Sequence, residues 1–162
     1  LGSGMGYNRP VFTAVGTLFN GGAYTSGDDG AGGAGMTEKG GDALSGTVTG
    51  QSKGGDGFPS TISGTLKYYG AGGAGGVFLK TTGYKGGNNG VGGNGGFGTT
   101  VYTPPTNPEP NSGSGGGGAG NDGNVTLKQG SDGADGVLYV RYLSPLPVDS
   151  FDYEIILENN DF

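Results

Sequence analysis

The sequence predicts a mostly β fold with little or no helix, in which short strands alternate with packed glycine-rich segments of polyglycine II type. Three observations predict it. First, 43 of the 162 residues are glycine and only 31% are hydrophobic. A large aliphatic core is therefore out of reach, and the fold must rest on backbone hydrogen bonds, close backbone packing or neighbouring subunits. Second, glycines recur at every third position, at Gly70, Gly73 and Gly76, at Gly87, Gly90, Gly93 and Gly96, and at Gly117, Gly120 and Gly123. The polyproline II helix has about 3 residues per turn, so this spacing lines one face with glycine and admits a second extended chain. Third, the segments between glycine runs are short, β-branched or aromatic, and bounded by Gly or Pro.

Along the chain, YNRPVFTAVGTLF (7–19) reads as strand material broken at Gly16. A glycine-rich stretch follows over 21–41. ALSGTVTG (43–50) and STISGTLKYYG (60–70) read as short strands, as does the patch Val77–Lys80. GGNNGVGGNGGFG (86–98) holds the period-three run ending at Gly96. TTVYTPPTNPEPNSGSG (99–115) reads as an exposed extended loop, because Pro removes a ladder donor and favours polyproline II. VLYVRY (137–142) is the clearest strand. SFDYEIILENNDF (150–162) alternates, with Phe151, Tyr153, Ile155 and Leu157 on one face, and reads as strand rather than helix.

A flexible glycine-rich loop competes with ordered packing as the explanation of the period, since dense glycine produces such runs by chance. The recurrence, which includes Gly130, Gly133 and Gly136, favours order, and so do the bordering Tyr69, Val77, Phe78, Phe97, Val125, Val137 and Leu138. Collagen is disfavoured, because the period breaks within about a dozen residues and the runs lack proline.

The formal charge is −6, which argues against a nucleic-acid partner. No apolar run approaches the roughly 18 residues of a membrane span. The chain opens LGSGMGYNRP, without an initiator Met or a signal-peptide pattern, and reads as the ordered part of a longer or processed polypeptide. With no His and no Cys, Ser-His-Asp and Cys-His catalysis are excluded. No pair of carboxylates is marked out for glycoside hydrolysis. No catalytic residue, metal site or cofactor is expected. GAGGAG (70–75) fits the dinucleotide-binding spacing but lacks the helix that must follow. GSDGADGVL (130–138) falls one position short of a calcium-binding nonapeptide and has no second copy in register. Asp28, Asp29, Asp122, Asp132 and Asp135 offer oxygen ligands, although solubilising turn residues are the simpler reading. Among the aromatics at the margins of the runs, Tyr84, Phe97 and Tyr102 are the candidate surface-contact residues. Rings that merely seal a small core are the competing reading.

GGDGFPSTISGTLKYYGAGGAGG (54–76) and the pair NSGSGGGGAGNDG (111–123) and GSDGADGVLYVRY (130–142) carry a resemblance. They resemble the glycine-rich domain family of bacteriophage tail and fibre proteins and of bacterial surface proteins. Asp56, Ile62, Gly64, Tyr69, the glycines at 115–118 and the run from Val137 to Tyr142 occupy the family's places. The chain is also loosely similar to phage tail adhesins built from packed polyglycine II helices. The likeness divides the chain into an N-terminal strand or connector (1–27), a glycine-rich domain (28–142) and a C-terminal extension (143–162). The extension lies outside the family pattern, and its apolar face marks an assembly strand for a neighbouring subunit.

The resemblance implies a noncatalytic virion structural protein on the tail or capsid exterior: a tail-fibre, head-fibre or decoration module. Its implied partners are other virion subunits, copies of itself and a host-surface glycan for attachment. The alternative is a bacterial extracellular adhesin or filament subunit at the cell surface. An ice-binding protein is a weaker alternative, because flat polyglycine faces are regular but these runs are poor in Thr.

Overall fold

The computed structural model describes residues 19–25, 27–44, 51–124, 126 and 128–141. The strand readings over 7–19 and 43–50 lie almost wholly outside these residues, and 150–162 lies wholly outside them. Regular elements are few and short. Strands β1 (Phe58–Ser60) and β2 (Lys67–Tyr69) form one antiparallel pair. Strands β3 (Phe97–Gly98) and β4 (Tyr102–Thr103) form another. A single helical turn, α1 (Gly87–Gly90), completes the set. The architecture is thus mostly β with little helix.

What holds the chain together is a bundle of extended glycine-rich segments bonded backbone to backbone in steps of three. The segment 70–77 lies at its centre, and every residue from Ala71 to Val77 is buried. The carbonyls of Gly70, Gly73 and Gly76 accept N–H bonds from Met36, Gly33 and Gly30 at 3.0, 2.8 and 2.8 Å. Those of Ala71, Ala74 and Val77 accept from Gly115, Gly118 and Asn121 at 2.9, 2.8 and 2.9 Å. The N–H groups of Gly72 and Gly75 donate to Gly55 and Ser52, and those of Ala74 and Val77 donate to Gly93 and Gly96. Four neighbouring segments therefore surround the central one, each meeting every third residue. A helix with about three residues per turn requires this pattern, because each of its faces repeats at that interval.

The outer segments repeat the step. Gly93 and Gly96 donate to Gly115 and Gly118, while Ser131 and Ala134 donate to Gly117 and Ser114. Residues 20–25 join through Gly22 N–H to Gly32, Gly40 N–H to Asn20 and Ala43 N–H to Ala23, so the hydrogen bonding crosses the expected boundary at 27/28. Apart from Pro108, the buried apolar side chains among the described residues are only Ala43, Ala71, Ala74 and Val77. The core is thus made largely of backbone, as the low hydrophobic content requires.

Glycine is needed where two backbones touch. A Cβ at Gly73 would lie 1.8 Å from the carbonyl oxygen of Gly116, and one at Gly76 would lie 1.8 Å from that of Ala119.

Two strand expectations and one loop expectation are corrected. The stretch 60–70 is not one strand: it holds the end of β1, the hairpin tip and β2. Gly64, at φ +94°, turns the chain, and its N–H donates to Thr61 O at 2.9 Å. The run VLYVRY is not in a sheet over its described residues 137–141. Its composition suits a strand, but strand propensity expresses itself only against a neighbour, and no ladder forms beside it among the described residues. The proline segment is extended as expected, yet it is not a free loop. Thr106 N–H donates to Asn94 O at 3.0 Å and Glu109 N–H to Val91 O at 2.8 Å, in the same three-residue step, and Pro108 is buried.

Candidate functional site

The expected scaffold glycines divide into two kinds. Gly73, Gly76, Gly87, Gly93, Gly96, Gly117 and Gly120 each lack room for a Cβ against a facing segment. Gly70, Gly90 and Gly123 instead have positive φ, at +65°, +109° and +84°, and meet only side-chain atoms. They turn the chain at segment ends. The run 87–96 is therefore not one continuous edge, because its first four residues wind into α1 with Asn88 and Asn89 left-handed at φ 50° and 57°. Asn tolerates this region better than most residues.

The three candidate contact aromatics face inward rather than outward. Tyr84, Phe97 and Tyr102 are all half-buried. The Tyr84 hydroxyl lies 3.5 Å from Asp29 Oδ2 and accepts from Lys80 Nζ at 3.3 Å. Phe97 presses on Gly83, and the Tyr102 hydroxyl lies against Gly96. Lys128 Nζ covers the Tyr102 ring at 4.6 Å, and burial pushes the Tyr102 phenol above its ordinary pKa. These rings seal the lattice because backbone alone leaves its rims open. Among the described residues the exposed aromatics are Tyr24, Phe58, Tyr68 and Tyr139.

Of the five candidate aspartates, Asp29 and Asp122 are each engaged by partners of their own. Buried Asp29 accepts from Phe78 N–H at 3.2 Å and from Gln51 Nε2 at 3.2 Å, and it pairs with Lys80. Burial pulls the Lys80 ammonium down, but hydrogen bonds to Asp29 and Tyr84 outweigh it and leave its pKa raised. Asp122 is lowered chiefly by the 2.9 Å bond from Asn124 Nδ2, with Lys128 adding its charge. Among the described residues no three acidic groups come together as metal ligands. In the near-nonapeptide, Ser131 serves the lattice: its Oγ accepts from Gly117 N–H at 2.7 Å and donates to Thr106 O at 2.6 Å.

One concave feature stands out beside the hairpin. It is an open cleft of about 480 Å³ lined by Lys53, Asp56, Tyr68, Lys85, Gly86, Asn88 and Asn89. Three parts of the chain meet there: the lattice segment 51–57, strand β2 and the turn 85–89. The turn is pinned from both sides, since Asn88 N–H donates to Asp56 Oδ1 and Asn88 Oδ1 accepts from Gly57 N–H, each at 2.6 Å. Lys53 Nζ lies 2.8 Å from Glu38 Oε2 and 3.7 Å from Asp56 Oδ1. The Glu38 bond is the main reason its pKa is raised, against a smaller opposing effect of burial. Sequence reasoning did not assemble this cleft. Its available signal was the Asn-Asn pair between glycines, a left-handed turn signature that fixes no partner 30 residues away.

Apolar surface gathers nearby. Phe58, Ile62 and Leu66 on the hairpin are exposed, as are Val137, Leu138 and Val140. The two regions are joined, because Tyr139 meets Tyr69 edge-on at 6.2 Å and Arg141 Nη2 donates to Ile62 O at 3.0 Å.

This fold defines a class of protein in which backbone lattice replaces side-chain core. A family model described as a glycine-rich domain matches residues 1–143, and the chain belongs to that family. No curated protein and no solved structure matches it. No helix among the described residues is long and apolar enough to cross a membrane.

Proposed function

We propose that the protein is a noncatalytic structural module of a virion exterior, a tail-fibre, head-fibre or decoration module that presents loops and hairpins to neighbouring subunits and to the host surface. The observation that carries this reading is the lattice around residues 70–77. It fixes the backbone on every side while leaving the hairpin 58–69 and its apolar side chains exposed. A scaffold of this kind holds surface elements in register at no expense of a large core. The exposed Phe58, Ile62, Leu66, Val137, Leu138 and Val140 suit contact with other subunits, copies of this chain included. In the same reading the segment with Phe151, Tyr153, Ile155 and Leu157 is an assembly strand. Imaging of the intact particle, with the chain carrying a small epitope tag, tests the proposal. Tag density on the tail or capsid exterior supports it. Tag found on the bacterial surface in the absence of particles overturns it in favour of an adhesin or filament subunit, which the same exposed surface also fits.

A further inference from the structure

The cleft beside the hairpin has a chemistry that selects a class of ligand. The chain carries 8 basic residues against 14 acidic ones, yet two of the basic ones, Lys53 and Lys85, line this one cleft with a single carboxylate, Asp56. Lys53 is already committed to Glu38 and Asp56. Lys85 is exposed, and no ion pair engages it among the described residues. It is the open cationic position. Tyr68 sits on the wall with 36% of its surface exposed, offering an apolar ring face with a polar tip. Asn89 is exposed beside it, and side-chain amides both donate and accept.

The site is also stiff. An added Cβ at Gly87 would lie 1.9 Å from Gly55 O, and Gly87 N–H donates to Gly72 O at 2.9 Å, so the turn is seated against the lattice. Asn88 is held at its N–H and its Oδ1. The backbone of the turn therefore has little ordering entropy left to lose on binding, and the cost falls on the side chains of Lys85, Asn89 and Tyr68. The volume of about 480 Å³ suits a small ligand. The polar, open lining disfavours an apolar ligand and favours one rich in hydroxyls.

We propose that this cleft binds a carboxylated saccharide, with the carboxylate at Lys85, one face of the sugar ring on Tyr68 and ring hydroxyls at the amides of Asn88 and Asn89. The proposal rests on the surface-contacting part of the proposed function and names the ligand class for it. The negative charge of the chain as a whole repels such a ligand elsewhere, so the local cations also give specificity.

Calorimetric titration with a glucuronate-containing disaccharide and with its methyl ester tests this. The acid should bind about tenfold more tightly than the ester, the worth of one charge-assisted hydrogen bond, and the difference should shrink as salt is raised. Lys85→Gln should abolish the preference for the acid while leaving the melting curve unchanged, because the side chain is exposed. Asn89→Ala and Tyr68→Ala should weaken acid and ester alike. Equal binding of acid and ester, absence of binding, or a preference that survives Lys85→Gln overturns the proposal. Particle incorporation of Lys85→Gln separates the two readings. Loss of the acid preference with normal incorporation concerns the cleft alone, whereas a chain that binds the acid but never enters particles overturns the virion reading alone.

Discussion

Replacing Gly73 by Ala adds one methyl group, ordinarily a mild change that lowers the entropy of the unfolded chain. The lattice reverses the sign. The new Cβ would lie 1.8 Å from Gly116 O, and real Cβ atoms do not approach closer than 3.0 Å, so the facing segments must separate by at least 1.2 Å. Three hydrogen bonds hold those segments together, from Gly115, Gly118 and Asn121 to Ala71, Ala74 and Val77, at 2.8 to 2.9 Å. A separation of that size stretches them towards 4 Å, beyond useful bonding. Each lost bond costs about 1 kcal/mol, and more where the carbonyl stays buried and dry. The expected loss is therefore about 3–6 kcal/mol, a large share of the roughly 5–15 kcal/mol available to a domain.

Thermal unfolding followed by circular dichroism reads the effect. For a chain of this size about 1 kcal/mol shifts Tm by roughly 2–4 °C, so Gly73→Ala should melt at least about 6 °C lower. Gly136→Ala is the control. Its Cβ would meet nothing within 4 Å, and its Tm should match the parent or rise slightly. Equal melting of Gly73→Ala and Gly136→Ala would refute the reasoning, because the glycines would then be filling loops rather than contacts.

Further outcomes follow from the same contacts. Gly93→Ala, whose Cβ would sit 2.3 Å from Thr106 O, should destabilise by about 2–4 kcal/mol through lost backbone bonds, whereas Gly90→Ala has room at 3.4 Å and should lose the roughly 1–2 kcal/mol of a positive φ, with both read by urea titration. Asp29→Ala removes the acceptor shared by Phe78, Gln51 and Lys80 and should cost about 2–4 kcal/mol, since Lys80 still reaches water. Stability against pH should show a plateau with two edges. The raised pKa of Lys80 gives stability that is whole below the ordinary lysine range and is lost as pH climbs through the folded value. The lowered pKa of Asp122 gives stability that is whole above the ordinary aspartate range and is lost as pH falls through the folded value. Melting midpoints across the pH scale should fall at both ends, and Lys80→Met should remove part of the alkaline edge. Removal of residues 146–162 should leave the melting curve of the lattice nearly intact but abolish incorporation into particles; unaffected incorporation would dispose of the assembly strand.

How far this fold was legible depended on whether a feature is local. The period of three at Gly70, Gly73 and Gly76 reflects the helix's own repeat, and a residue's conformation is written in its neighbours. The sequence therefore announced the lattice element without naming its partners. That Gly73 faces Gly116 while Gly72 donates to Gly55 depends on how the segments stack, and glycines carry no side chains to encode that choice. The same gap explains the strand misreading at 137–141, where Val, Leu and Tyr satisfy a strand pattern but no ladder forms beside them. It also explains the aromatic misplacement. Tyr84 and Tyr102 border glycine runs in sequence, and only the stacking turns them in towards Asp29 and Gly96. Gly90 failed for a local reason that was available: two consecutive Asn residues before a Gly favour a left-handed turn over an extended run.

A lattice of this kind changes where variation can fall. In an ordinary domain, core side chains trade volume with one another and many combinations fit. Here the contact surface is backbone, and the only variable at Gly32, Gly54, Gly73 or Gly76 is whether a Cβ exists at all. Such positions permit one residue type. The constraint ends at the hairpin tip 61–66 and at the exposed side chains of Lys85 and Asn89, which project past the last lattice bond. Ser63, Leu66 and Lys85 can therefore change without disturbing the bonds that hold the molecule together, whereas the left-handed φ of 57° holds Asn89 to Asn or Gly. An invariant interior joined to freely variable rims is the physical basis for a module whose surface contacts can be retuned, and the cleft at Lys85 lies on that rim.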